Sequence, residues 1–65
     1  MIKINGKSEN AALGKSISEY LEQSGYKANQ VAVEINGDIL PKAEYSQRQI
    51  AEGDTIEIVS FVGGG

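Results

Sequence analysis

Apolar and polar positions alternate along several stretches of this chain, and along one stretch the apolar positions recur with helical spacing. Ile2 and Ile4 flank Lys3, and the run ends at Asn5-Gly6, a pair that accepts the two positive φ angles of a type I′ turn. The pattern predicts a hairpin with one strand over 1–4 and a returning strand over 7–13, in which Ala11 and Leu13 offer modest core contacts. Ser8, Glu9 and Asn10 have weak strand character, which puts that second strand at or near a sheet edge. Val31, Val33 and Ile35 then alternate with Ala32 and Glu34 before Asn36-Gly37, so a second hairpin is expected. Its return over 38–40 is short because Pro41 lacks a ladder donor. Over 55–62, Ile56, Ile58 and Ser60 face one way and Glu57, Val59 and Phe61 the other. This is the strongest strand pattern in the chain, and its partly apolar second face suits either a central strand or a docking surface.

Helical spacing is confined to the stretch after Ser16. Ser16 and Glu19 have the spacing of a capping box, so a helix is expected to begin at Ile17. Ile17, Tyr20 and Leu21 form its buried stripe, continued by the small Ser24, while Ser18, Glu19, Glu22 and Gln23 face solvent. Gly25 is placed to close the C-cap, with Tyr26 making the apolar contact beyond it. A helix of about two turns does not persist alone, so it must lie across a sheet. Residues 42–51 lack periodicity and read as an irregular connection with Tyr45 and Ile50 as its core contacts, and Glu52-Gly53-Asp54 reads as a turn launching the last strand. The simplest packing lays Ile17, Tyr20 and Leu21 over Ile2, Ile4, Val31, Val33, Ile35, Ile56 and Ile58. That is an α+β arrangement with one sheet face left open.

Composition narrows the chemistry. The 65 residues make one small domain without cysteine or histidine, which removes thiolate nucleophiles, disulfides, and the commonest general base and metal ligand together. No catalytic residue and no bound metal or cofactor is expected, and the chain is not read as an enzyme. The net charge is -3 and the six basic residues form no cluster, which argues against nucleic acid as a partner. No signal peptide and no membrane-spanning stretch is apparent, so a cytoplasmic location away from the membrane is expected. Gly6-Lys7-Ser8 and Gly14-Lys15-Ser16 resemble the end of a phosphate-binding loop but lack its earlier glycine, since Met1 and Glu9 stand there. Asp38, Glu52 and Asp54 have no calcium-loop spacing and read as turn formers and solvated charges.

What remains is Gly63-Gly64-Gly65 after the strand that ends Phe61-Val62. Glycines there bury no side chain and fix no backbone angle, so they contribute nothing to folding through side chains. A tail without Cβ atoms threads a narrow channel and brings its carboxylate against a reactive centre; from Val62 to Gly65 it extends about 13–14 Å. The expected organisation is a domain over 1–61 and a flexible tail over 62–65.

These residues carry a resemblance that covers the whole chain. Ile2-Lys3-Ile4-Asn5-Gly6, the helix from Ser16 to Leu21, Val31-Ala32-Val33-Glu34-Ile35-Asn36 and Gly53-Asp54-Thr55-Ile56-Glu57-Ile58-Val59 through Phe61-Val62-Gly63-Gly64-Gly65 resemble the ubiquitin-like β-grasp proteins, and among them the ThiS family of thiamine-biosynthesis sulfur carriers. The resemblance implies a mixed sheet of four to five strands with one main helix on one face. It implies a carrier cycle on Gly65, which a ThiF-like adenylyltransferase activates with ATP and which then becomes a thiocarboxylate. Sulfur comes ultimately from cysteine through a cysteine desulfurase, and a ThiG-like thiazole synthase receives it. Val62, Gly63 and Gly64 are then the thread, and Val59 and Phe61 help dock the domain. Gly64-Gly65 alone is shared with molybdopterin-type sulfur carriers and with ubiquitin-like modifiers that form isopeptide bonds, so both remain as alternatives.

Overall fold

Asn5 and Gly6 adopt φ angles of 51° and 81°, and Asn36 and Gly37 adopt 55° and 89°. Both expected turns therefore form, each using a residue pair that tolerates left-handed backbone. The computed structural model describes residues 1–61. The first turn joins β1 (Lys3–Ile4) to β2 (Lys7–Ser8), and the second joins β3 (Val31–Ile35) to β4 (Asp38–Ile39). Between the hairpins lies α1 (Ile17–Gln23), and β5 (Thr55–Ser60) follows the irregular connection.

The returning strand of the first hairpin is shorter than the expected 7–13. After β2 the chain coils into a 3-10 turn at Asn10–Ala12. The cause is a side chain competing for the ladder: Asn10 Oδ1 accepts the Ile2 N–H at 3.1 Å, while the Glu9 N–H donates to the Ile2 carbonyl at 2.9 Å. The turn also reverses the expected core contacts. Ala12 is buried, whereas Ala11 is exposed and Leu13 is 57% exposed.

Helix α1 starts where the capping box places it. Ser16 Oγ accepts the Glu19 N–H at 3.0 Å, and Glu19 Oε1 accepts the Ser16 N–H at 2.9 Å. It ends at Gly25 (φ 83°), with the Tyr26 N–H donating to the Leu21 carbonyl at 2.9 Å and the Gly25 N–H to Glu22 at 3.2 Å. That pair of bonds is the Schellman arrangement, and Tyr26 packs partly against the core as expected. Ser24 is the exposed C-cap residue and does not extend the buried stripe.

The sheet has five strands in the order β2-β1-β5-β3-β4. Strand β5 is central, parallel to β1 and antiparallel to β3, and β2 and β4 form the edges. One face carries Ile2, Ile4, Val31, Val33, Ile35, Ile56 and Ile58, all buried with Ile17 and Leu21 of α1. The connection between β4 and β5 contains a 3-10 turn, Lys42–Glu44, and seals the rest of the core with Tyr45 and Ile50. It also completes the start of the helix: the N–H groups of Ile17 and Ser18 donate to the carbonyls of Arg48 (3.0 Å) and Tyr45 (2.9 Å). The first donors of α1, unpaired within any helix, are thus satisfied by a segment without periodicity of its own. Among the described residues no helix is long and apolar enough to cross a membrane.

Candidate functional site

The reacting position proposed from sequence, Gly65, and its thread Val62, Gly63 and Gly64 lie outside the described residues. What the structure places is the root from which they leave. Strand β5 pairs with β3 from Ile56 opposite Ile35 to Ser60 opposite Val31. One residue further, the Phe61 N–H donates to the Gln30 carbonyl at 3.1 Å, so the backbone stays tied to the β3 side through Phe61. The Phe61 ring lies beneath Lys42, whose Nζ is 4.9 Å from the ring centroid, within the range of a cation–π contact. Backbone and ring together fix where the tail begins.

Val59 and Phe61 are brought to the same side of the sheet, away from α1, and are 60% and 56% exposed. Val59 stands opposite Ala32, so a small apolar area on the open face leads towards the tail. In the next row Glu57 is opposite Glu34, and Glu34 is opposite Ile39 at the sheet edge.

Two asparagines and an aspartate that the sequence did not single out for this purpose hold β5 in position. Asn5 donates from Nδ2 to the Ile58 carbonyl at 3.2 Å and accepts the Ile58 N–H on Oδ1 at 2.7 Å. Its amide thereby extends the pairing of β5 past the end of the two-residue β1. Asn36 does the equivalent at the other end of the strand, accepting the Thr55 N–H at 2.9 Å and donating to Asp54 Oδ1 at 3.0 Å. The signal was present in both Asn-Gly turns, but the partners are distant in sequence.

Asp54 departs from the expectation of a solvated charge: it is only 6% exposed. Oδ2 accepts the Ala51 N–H at 2.9 Å and lies 3.1 Å from Arg48 Nη1. Burial alone would raise its pKa; hydrogen bonds from Arg48, Ala51 and Asn36 and the Arg48 charge outweigh that and hold it below the ordinary aspartate value. Asp54 therefore fastens the irregular connection to the start of β5. Ser16 and Lys15 of the glycine-lysine-serine sequence are engaged in the helix cap and in a contact with Gln23. No three or more Asp or Glu side chains converge as a metal site among the described residues.

A family model described as ThiS family matches residues 2–65. The chain belongs to the ThiS family. It is 30% identical over 64 residues to the sulfur carrier protein ThiS of Escherichia coli, covering 98% of this chain and 97% of that one. A solved structure of ThiS from Geobacter metallireducens superposes with a TM-score of 0.76 at 28% identity, covering 98% of this chain and 97% of the other. The ubiquitin-like β-grasp fold, with its five-stranded mixed sheet and single main helix, is therefore the ThiS fold. The chain is also 40% identical over 62 residues to a thiazole synthase of Paramagnetospirillum magneticum, covering 95% of this chain and 19% of that protein. It spans about a fifth of the length of the thiazole synthases it matches.

Proposed function

We propose that this ThiS-family chain is a sulfur carrier for thiazole formation in thiamine biosynthesis, a protein co-substrate whose reacting group is the Gly65 carboxylate. The observation that carries the reading is the family match running to residue 65, through Phe61-Val62-Gly63-Gly64-Gly65, in a chain without histidine or cysteine. Such a chain supplies an acyl group and leaves the catalytic side chains to its partners.

A C-terminal carboxylate has a pKa of about 3.5, so at neutral pH it is ionised and a poor electrophile until one oxygen becomes part of a leaving group. A ThiF-like adenylyltransferase supplies that step: a Gly65 oxygen attacks the α-phosphorus of ATP, pyrophosphate departs, and an acyl-adenylate forms. A sulfur nucleophile derived from cysteine through a desulfurase attacks the acyl carbon and displaces AMP. Where that nucleophile is a persulfide, the product is an acyl disulfide; a thiol attacks the donor's sulfur, the S–S bond to the acyl sulfur breaks, a new disulfide forms on the donor, and Gly65 is left with a thiocarboxylate. A ThiG-like thiazole synthase accepts that sulfur, and the likeness to proteins named thiazole synthase supports this partner. Val62, Gly63 and Gly64 thread the partner's channel, and Val59 and Phe61 dock the domain beside it. A cytoplasmic location, where ATP and the sulfur donor are available, belongs to the same reading.

Deletion of Gly65 tests it. Thiazole formation with the partner enzymes should vanish while the circular dichroism spectrum and unfolding midpoint stay unchanged; a truncated chain that still supports thiazole formation refutes the carrier role.

A further inference from the structure

Contacts from two separate segments converge on Phe61, the residue from which 62–65 continue. Its N–H donates to the Gln30 carbonyl just before β3 at 3.1 Å, and its half-exposed ring lies under Lys42, with Nζ 4.9 Å from the centroid. The backbone that carries Lys42 is itself fixed. Lys42 opens the 3-10 turn behind Pro41, whose ring locks φ at -62°. Before the turn the Leu40 N–H donates to the Val33 carbonyl at 2.9 Å, and within it the Tyr45 N–H donates to the Lys42 carbonyl at 3.1 Å. Tyr45 is buried, and its hydroxyl donates to the Val31 carbonyl at 3.4 Å. Val31 stands opposite Ser60, the residue before Phe61. The turn and the root of the tail are thus held to the same end of β3. Among the described residues the ion pairs are Met1–Glu52 and Arg48–Asp54, so the partner that the structure gives the Lys42 ammonium is the ring.

From this convergence we infer that Lys42 is a positioning residue for the carrier reaction: seated on Phe61, its ammonium holds the ring and so sets the direction in which residues 62–65 leave the domain. The inference rests on the carrier reading above. Gly63, Gly64 and Gly65 have no side chains with which to set a direction of their own, so the direction is set at the root. A ring free to change rotamer gives the root several exits, and a cation on its face favours one. A reactive centre accepts the Gly65 carboxylate in one geometry, so each further exit lowers the share of docked complexes that react. A cation–π contact at an exposed site has the size to change that share about two- to fivefold.

Two measurements test it. In the free, isotope-labelled full chain the Hε protons of Lys42 should be shifted upfield by the ring, and the shift should vanish in Phe61→Leu. In single-turnover formation of the acyl-adenylate, with ATP and a ThiF-type adenylyltransferase in excess, Lys42→Ala and Lys42→Met should lower the maximal rate about two- to fivefold. The enzyme concentration giving half that rate, and the unfolding midpoint of the chain, should stay unchanged. Lys42→Arg should restore the rate, because a guanidinium also stacks on an aromatic face. In a Phe61→Leu background Lys42→Ala should have no further effect, whereas a lysine acting directly on the enzyme would keep its full effect there. Lys27→Ala, which removes the same charge elsewhere on the surface, should react as wild type. An absent upfield shift, an undiminished maximal rate in Lys42→Ala, a change confined to the half-saturating concentration, or an equal loss in the Phe61→Leu background overturns the inference and leaves the carrier reading standing. A wild-type chain that forms no acyl-adenylate overturns both.

Discussion

Along β5, Ile56 and Ile58 are 0% and 6% exposed, while Val59, pointing the other way, is 60% exposed. The same strand thus belongs to two surfaces with different physical tasks. Its inner side is closed by α1 and by Tyr45 and Ile50 of the connection before it, and burial of that apolar area supplies the main stabilisation of a small domain. Its outer side has no covering element within the described residues and alternates charge with isolated apolar groups. The difference separates what the chain needs in order to fold from what it presents. Substitutions on the inner side should be read out in stability, and those on the outer side in partner binding.

The strongest challenge to that division is Leu21→Ala, which removes a large side chain that is 1% exposed. It should cost about 2–5 kcal/mol in denaturant unfolding, a large share of the roughly 3–10 kcal/mol expected for a domain of this size. Asp54→Ala should cost about 1–3 kcal/mol by leaving the Ala51 N–H and Arg48 without their acceptor. Because the folded-state pKa of Asp54 is depressed, its contribution is present above the unfolded aspartate value of about 3.8 and is lost as pH falls through the lower folded value. Acid unfolding of Asp54→Asn should accordingly lose that part of its pH dependence. Asn5→Ala removes both hydrogen bonds to Ile58 and should cost about 1–2 kcal/mol. Faster amide exchange at Ile58 should accompany it.

The smallest effects on folding are expected on the outer face. Val59→Ala and Phe61→Ala should change stability by less than about 0.5 kcal/mol while weakening association with a partner enzyme in a direct binding titration. A Val59→Ala domain destabilised as much as Leu21→Ala would erase the distinction between the faces.

The sequence revealed features whose partners lie nearby in the chain. The two Asn-Gly turns, the Ser16–Glu19 capping box and the Gly25 C-cap each depend on residues within a few positions of one another, and all formed where they were expected. Alternation over 31–35 and 55–60 identified the inner residues of the two longest strands. The features that were not legible depend on distant partners. Asn5 reaches Ile58 across 53 positions, Asn36 reaches Asp54 across 18, and the carbonyls of Tyr45 and Arg48 cap a helix about 30 residues upstream. Hydrophobic periodicity carries no trace of such bonds, so residues 42–51 read as mere connection and Asp54 as a solvated charge. Asn10 misled for a local reason, its side chain replacing a ladder bond and ending β2 early. On the open face, the exposure of Val59 and Phe61 was legible from their outward alternation, whereas the opposition of Glu34 and Glu57 needed the register of β3 against β5.

The carrier role is tested most directly by the intact mass of the chain after incubation with ATP, cysteine, a cysteine desulfurase and a ThiF-type adenylyltransferase. A mass increase equal to one oxygen exchanged for sulfur is expected, localised by fragmentation to Gly65 and absent when ATP is omitted. An unchanged mass, with the same enzymes shown to be active on another ThiS protein, would contradict it.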